Sequence, residues 1–124
     1  MDARVESAAR LMEERLKDPL TVATLARELN LSPSRFAHLF REDFGVSPMR
    51  YLHTQRMQRA RELLEGTLLT VKEVMVEVGC SDPSHFARDF RRFHGLPPKA
   101  CRSASNGAAA SHGKEEPPPQ ARGP

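Results

Sequence analysis

The sequence predicts an all-α fold, on three observations: the kind of apolar residues it contains, their spacing, and an internal repeat running through most of the chain. Six Phe, five Met and a single Tyr stand among many Leu and Ala, a set that favours helices and is poor in what strands prefer. The 124 residues suffice for one compact domain with a tail, and a second, ligand-sensing domain is not expected to fit. A net charge of +3 suits a polyanionic partner without establishing one.

Taken in order, Val5, Ala8, Ala9, Met12 and Leu16 recur at helical spacing, and Pro19 is expected to stop this first amphipathic helix. Thr21 then caps a short helix through Leu29, whose Val22, Leu25, Ala26 and Leu29 share one face. After the turn Asn30-Leu31-Ser32, Ser32 caps a further helix with Pro33 at its first position, an inward stripe of Phe36, Leu39, Phe40 and Phe44, and Gly45 at its end. Two helices around a tight turn, the second with a polar outer face, are the plan of a helix-turn-helix.

The plan recurs. Leu20-Thr21-Val22 with Leu25-Ala26 returns as Leu69-Thr70-Val71 with Val74-Met75 at an offset of 49, and Ser34 to Arg41 returns as Ser84 to Arg91 at an offset of 50, so one residue is inserted near Asp82. The second copy has Val71, Val74, Met75 and Val78 in its short helix, the turn Gly79-Cys80-Ser81, and a helix from Asp82-Pro83 with the expected stripe Phe86, Phe90 and Phe93. Two copies are too few for a solenoid, which leaves a pseudo-symmetric pair of modules. Between them, Pro48 to Glu65 reads as one linker helix that packs through Met49, Leu52, Met57, Ala60, Leu63 and Leu64, with Gly66 as its stop signal. Its length of about 26 Å, with half a module at each end, brings the outer helices near the ~34 Å of one DNA turn. Arg50, Arg56, Arg59 and Arg61 make the linker basic, which fits phosphate contact and equally fits solvation.

The outer face carries Ser34, Arg35, Ala37, His38 and Arg41 in the first copy and Ser84, His85, Ala87, Arg88 and Arg91 in the second. Small residues beside His and Arg suit a helix lying against base edges; an ordinary solvated face is the alternative. The domain boundaries that follow are a first unit over about 5–47, a linker helix over 48–65, a second unit over 69–102, and a Ser-, Gly- and Pro-rich disordered tail over 103–124.

These residues resemble the DNA-binding domain of AraC/XylS-type bacterial transcription regulators from about Glu6 to Arg102. The similarity rests on Leu31-Ser-Pro-Ser-Arg-Phe-Ala-His-Leu-Phe-Arg41, on Gly45-x-x-Pro48-x-x-Tyr51-Leu52, on Arg56-x-x-x-Ala60-x-x-Leu63-Leu64, and on the run from Val78-Gly79 to Arg91-Arg92. It implies about seven helices, with the helices from Pro33 and Pro83 as recognition helices. By position it carries base contact onto Ser34, Ala37 and His38, and onto Ser84, His85 and Arg88, with Arg35 and Pro83 in the same interface. Arg41 and Arg91, one turn further on, and Ser32, Arg56 and Arg92 are expected on phosphates. Cys80, Met75 and Cys101 depart from the family pattern, the first two as a compensated repacking of the second module. Asp89 takes a stripe position often held by an aliphatic residue, so the second recognition helix is expected to be less firmly seated and to read bases more weakly.

The resemblance implies a sequence-specific regulator that binds double-stranded DNA, with RNA polymerase as a further partner, monomeric in this form. Two other readings stand beside it: a scaffold used as a protein-interaction module, and the fragment of a larger ligand-responsive regulator. An enzyme would draw on His38, His53, His85 and His94, but no His lies three or four residues from another, so no metal or other cofactor is expected. Cys80 and Cys101 form no C-x-x-C pair and read as reduced, inert thiols. The amino terminus lacks the apolar run of a signal peptide or membrane span, so a cytoplasmic, nucleoid-associated protein is expected.

Overall fold

Short polar side chains decide where the helices of the two repeats begin. In the computed structural model, which describes residues 1–102, Thr21, Ser32, Thr70 and Asp82 each accept a hydrogen bond from the backbone N–H three residues on, at 3.0–3.1 Å. Each satisfies a donor that a first helical turn leaves open. The Thr24 hydroxyl and the Glu73 carboxylate return the favour, accepting from the Thr21 and Thr70 N–H groups at 3.0 and 2.8 Å. The resulting order is α1 (Ala3–Glu14), α2 (Val22–Glu28), α3 (Pro33–Phe44), α4 (Pro48–Gly66), α5 (Val71–Glu77) and α6 (Pro83–His94). A further helix, α7, occupies 98–102. Among the described residues there are seven helices and no strand, the all-α fold that the sequence predicts. The tail expected over 103–124 lies outside the described residues.

Two helix ends differ from expectation. Helix α1 stops at Glu14, well before Pro19; Leu16 leaves the helix and still packs on the core. The freed carbonyls of Leu16 and Asp18 accept from Arg56 Nε and Nη2 at 3.0 and 2.9 Å. Gly66 is the last residue of α4 and not a stop beyond it. That end is closed instead by Thr67, whose N–H and hydroxyl both donate to the Leu63 carbonyl, at 3.1 and 2.6 Å.

Each helix-turn-helix pivots on one left-handed residue, Asn30 at φ 59° and Gly79 at φ 77°. Around Asn30, its own N–H reaches Arg27 O at 3.1 Å and the Leu31 N–H reaches Ala26 O at 2.9 Å; around Gly79, the matching bonds run to Val76 O at 3.2 Å and from Cys80 to Met75 O at 2.9 Å. This paired closure satisfies two carbonyls at each helix end and turns the chain sharply toward the next helix. It also brings residues 31 and 26, and 80 and 75, together. A large turn residue meets Ala26 in one unit and a small one meets Met75 in the other, which is the compensation the sequence suggests.

The chain divides into two compact units, Met1–Arg56 and the unit from Met57 onward. The boundary falls inside α4, and the helix gives its two halves to two cores. The first core gathers Val5, Ala8, Ala9, Met12, Leu25, Ala26, Phe36, Phe40 and Leu52. The second gathers Met57, Ala60, Leu63, Leu64, Val74, Met75, Val78, Phe86, Phe90 and Cys101. Met57, Ala60, Leu63 and Leu64 hold the places that Val5, Ala8, Leu11 and Met12 hold in the first unit, at an offset of 52. The repeat therefore includes the leading helix of each unit. Asp43, on α3, accepts from the Asp2 N–H at 2.9 Å, at the free start of α1.

Phe93 does not join the inward stripe of α6: it is 37% exposed, because the row set by Phe86 and Phe90 continues to residue 94. His94 fills the place that Phe44 fills in the first unit, and both rings lie 4.5 Å from the preceding Phe. Tyr51 donates to Glu13 Oε2 at 2.5 Å, and burial, with Glu13 beside it, pushes its phenol up to about 12. Cys101 stands in the matching place with Sγ 3.9 Å from Glu65 Oε2, and burial raises its thiol, which keeps it protonated and unreactive.

Burial holds the His94 imidazole below its ordinary range. Its Nε2 donates to the Met57 carbonyl at 2.9 Å, which leaves Nδ1, 3.4 Å from Arg61 Nη1, as an acceptor on a neutral ring. An unfolded chain takes up this proton near pH ~6.5, and the folded ring only at lower pH. The unfolded state thus binds more protons in that window, and stability falls as pH drops from ~6.5 through the folded value. Urea melts are expected to lose midpoint between about pH 7 and 5, and His94→Phe, which copies Phe44, is expected to flatten that loss; an equally steep loss in the variant would refute the assignment. At the turns, Gly79→Ala is expected to destabilise by about 1 kcal/mol while Asn30→Gly is neutral or mildly stabilising, read from the same melts.

Candidate nucleic-acid interface

Burying Phe36 and Phe40 on α3, and Phe86 and Phe90 on α6, forces the opposite side of each helix into solvent. On α3 that side carries Ser34, Arg35, His38 and Arg41, all exposed, with Ala37 half-buried at its edge. On α6 it carries Pro83, Ser84, His85, Arg88, Arg91 and Arg92, all exposed. Residues three and four apart lie over one another on a helix, so Ser34, His38 and Arg41 form one row and Ser84, Arg88 and Arg91 the matching row. Of the residues expected at base edges, Ser34, His38, Ser84, His85 and Arg88 are exposed on the outward faces, and Ala37 lies at the rim of its face. Arg35 and His38 stand where His85 and Arg88 stand in the second unit: the same two side chains, in opposite order.

The histidines are held differently. His38 Nε2 lies 3.3 Å from Glu42 Oε2, and both side chains are more than 60% exposed. His85 Nδ1 lies 3.4 Å from Asp89 Oδ2, whose side chain is only 16% exposed. Asp89 thus occupies the stripe position matched by Leu39 and uses it to reach an outward residue. The i, i+4 spacing of a histidine and a carboxylate is the sequence signal for this contact. Helix α6 is nonetheless seated by Phe86 and Phe90, 2% and 0% exposed.

Among the phosphate-contact expectations, Ser32 is exposed with its hydroxyl oxygen accepting from the Arg35 N–H at 3.1 Å. Arg92 extends from α6 without an ion pair among the described residues, as do Arg41, Arg88 and Arg91. Arg56 departs from expectation: its guanidinium is occupied by the Leu16 and Asp18 carbonyls, so its role is to close the end of α1. Nothing local in the sequence signals this, since the partners lie 40 and 38 residues away. Arg102 does similar work in the second unit, donating to the Leu64 and Leu69 carbonyls. Arg59 pairs with Glu62 at 3.0 Å and Arg61 with Glu65 at 2.9 Å, which leaves α4 less basic than its composition suggests.

Among the described residues, no group of His, Cys, Asp and Glu comes together that could hold a metal ion, and no helix is long and apolar enough to cross a membrane. The fold and the two outward faces define a tandem helix-turn-helix protein. A helix-turn-helix domain family model matches residues 25–104. The arabinose operon regulatory protein of Salmonella typhimurium is 35% identical over 104 residues, which cover 83% of this chain and 37% of that protein. The HTH-type transcriptional regulator GbdR of Pseudomonas aeruginosa is 32% identical over 77% of this chain and 26% of its own length. The solved DNA-binding domain of AdpA, a global transcriptional factor in complex with a target DNA, superposes with a TM-score of 0.83 at 30% identity, over 89% of this chain and 99% of that one. The C-terminal domain of AraT from Geobacillus stearothermophilus gives 0.79 at 27% identity, over 83% and 86% of the two chains. The chain belongs to the AraC-type helix-turn-helix family of bacterial transcription regulators. It spans 37% and 26% of the length of these two curated relatives.

The two kinds of arginine separate experimentally. Arg56→Ala strands two carbonyls and is expected to cost about 2 kcal/mol in circular-dichroism melts, whereas Arg92→Ala is expected to leave the melt within about 0.5 kcal/mol of the parent.

Proposed function

We propose that this chain binds double-stranded DNA at a specific sequence, with α3 and α6 each entering a major-groove segment of the same duplex, and that it regulates transcription there. The observation that carries the reading is the matched pair of outward faces, Ser34/Arg35/His38/Arg41 and Ser84/His85/Arg88/Arg91. Serine hydroxyls, imidazoles and guanidinium groups on a helix suit the donor and acceptor pattern of the major groove. Ser34, Arg35, Ala37 and His38 meet base edges in one segment, and Pro83, Ser84, His85 and Arg88 in the other. Arg41, Arg91, Arg92 and Ser32 hold phosphates; they fix register and carry the salt dependence. The DNA complex of the AdpA domain supports the partner, and the relatives' role as regulators supports control of transcription; a non-catalytic, cofactor-free chain acting beside RNA polymerase on the nucleoid in the cytoplasm belongs to the same proposal. A single copy carries both reading helices, so a monomer suffices for one site.

A second reading has one observation behind it: the matched relatives are much longer than this chain. On that reading the domain is the DNA-reading part of a ligand-responsive regulator. Binding by this chain alone serves both readings, and effector dependence would favour the second.

The test is selection of bound sequences from a random duplex pool, followed by a salt titration of the selected duplex. Two short boxes about one helical turn apart are expected, with log K falling steeply against log salt and the slope shallower by about 1 for Arg92→Ala. No enriched sequence and no salt dependence would sink the proposal and leave a protein-interaction module. Because Arg35 and His38 recur in opposite order as His85 and Arg88, the double exchange Arg35→His with His38→Arg is expected to shift the first box toward the second in a repeat selection.

A further inference from the structure

We infer that Asp89 is the positioning residue of the second recognition helix: it holds His85 by Nδ1 and thereby sets which atom of the imidazole meets the base. The inference rests on the proposed reading of DNA by α6 and names a specificity determinant within it. Asp89 Oδ2 is 3.4 Å from His85 Nδ1, and the Asp89 side chain is largely covered while His85 is exposed. A covered carboxylate on the inward edge of a helix has few rotamers open to it, so the ring it engages is also restricted. With Nδ1 turned to the Asp89 carboxylate at ion-pair distance, Nε2 is the nitrogen left to face the groove, since the partner at one ring nitrogen sets the role of the other.

The first unit supplies the contrast. There Glu42 approaches His38 at Nε2, both groups are largely exposed, and an exposed pair of long side chains restricts little. The stripe position that would correspond to Asp89 is Leu39, which packs on its core and reaches no outward residue through a polar atom. Asp89 therefore gives up an apolar contact made in the sister unit and gains control of His85. Ala87 and Ser84 keep the neighbouring relief low, so the imidazole orientation decides much of what this part of α6 can read.

The test compares Asp89→Leu and Asp89→Asn in the full chain. Both remove one negative charge from the recognition helix and both are expected to raise non-specific affinity alike. Asparagine keeps an oxygen that accepts from Nδ1–H; leucine, the residue at the matched position of α3, keeps the helix seated and removes the acceptor. The parent is first put through the random-pool selection, and each variant is then measured on duplexes changed singly across the second box. Asp89→Leu is expected to relax preference at one base pair about five- to tenfold, on the scale of one base contact, with no lower melting temperature. Asp89→Asn is expected to keep the parental preference. His85→Ala is expected to relax the same base pair, with nothing added by the double variant. Parental preference in Asp89→Leu, or additive losses in the double variant, would overturn the inference while leaving DNA reading intact. A parent that selects no sequence would remove the proposed function and this inference with it.

Discussion

Both units depend on a sharp change of chain direction that only a left-handed residue permits. At Asn30 and Gly79 the backbone crosses to positive φ, and two amide-to-carbonyl bonds close each turn. Without that closure α3 and α6 would not lie back against α2 and α5, and Phe36, Phe40, Phe86 and Phe90 would lose their cores. The outward faces exist because the phenylalanines face inward. Glycine accepts this conformation freely, and asparagine is among the few other residues that visit it at modest cost.

How the two cores are filled shows how much latitude remains once the turns are set. Phe44 and Tyr51 pack with Phe40 in the first unit, with ring centroids 4.5–5.4 Å apart. The second unit places His94 and Cys101 at the matching positions, one a half-buried neutral ring and the other a buried thiol. Chemistry differs between the units at these positions, and the second acquires an imidazole that the first lacks.

Much of the fold was legible from residue spacing because its signals are local. Thr21, Ser32, Asp82 and Pro33 announce helix starts within four residues, Gly45 announces an end, and the repeat locates both modules. The outward residues of α3 and α6 follow from the stripe opposite them. What escaped was non-local or ambiguous in kind. Arg56 reads as a surface cation until its two distant carbonyl partners are known. Phe93 was drawn into the stripe because it is aromatic, although His94 has the correct phase. The equivalence of α1 with the second half of α4 was hidden because Arg61 interrupts the apolar match at Ala9. Asp89 was judged by the position it spoils and not by the histidine one turn earlier.

That equivalence has a consequence for how such a chain arises and drifts. If each unit is a copy of the same four-helix plan, then α4 is where the last helix of one copy has run into the first helix of the next, and the junction has no end. A helix without a beginning has no unsatisfied amides there to cap. In the first unit α1 does begin, and Asp43 serves its start through the Asp2 N–H. The residue matching Asp43 in the second unit is Phe93, which has no such duty. In a chain joined this way a carboxylate at that surface position has no free helix start to serve, and an aromatic ring there forgoes nothing.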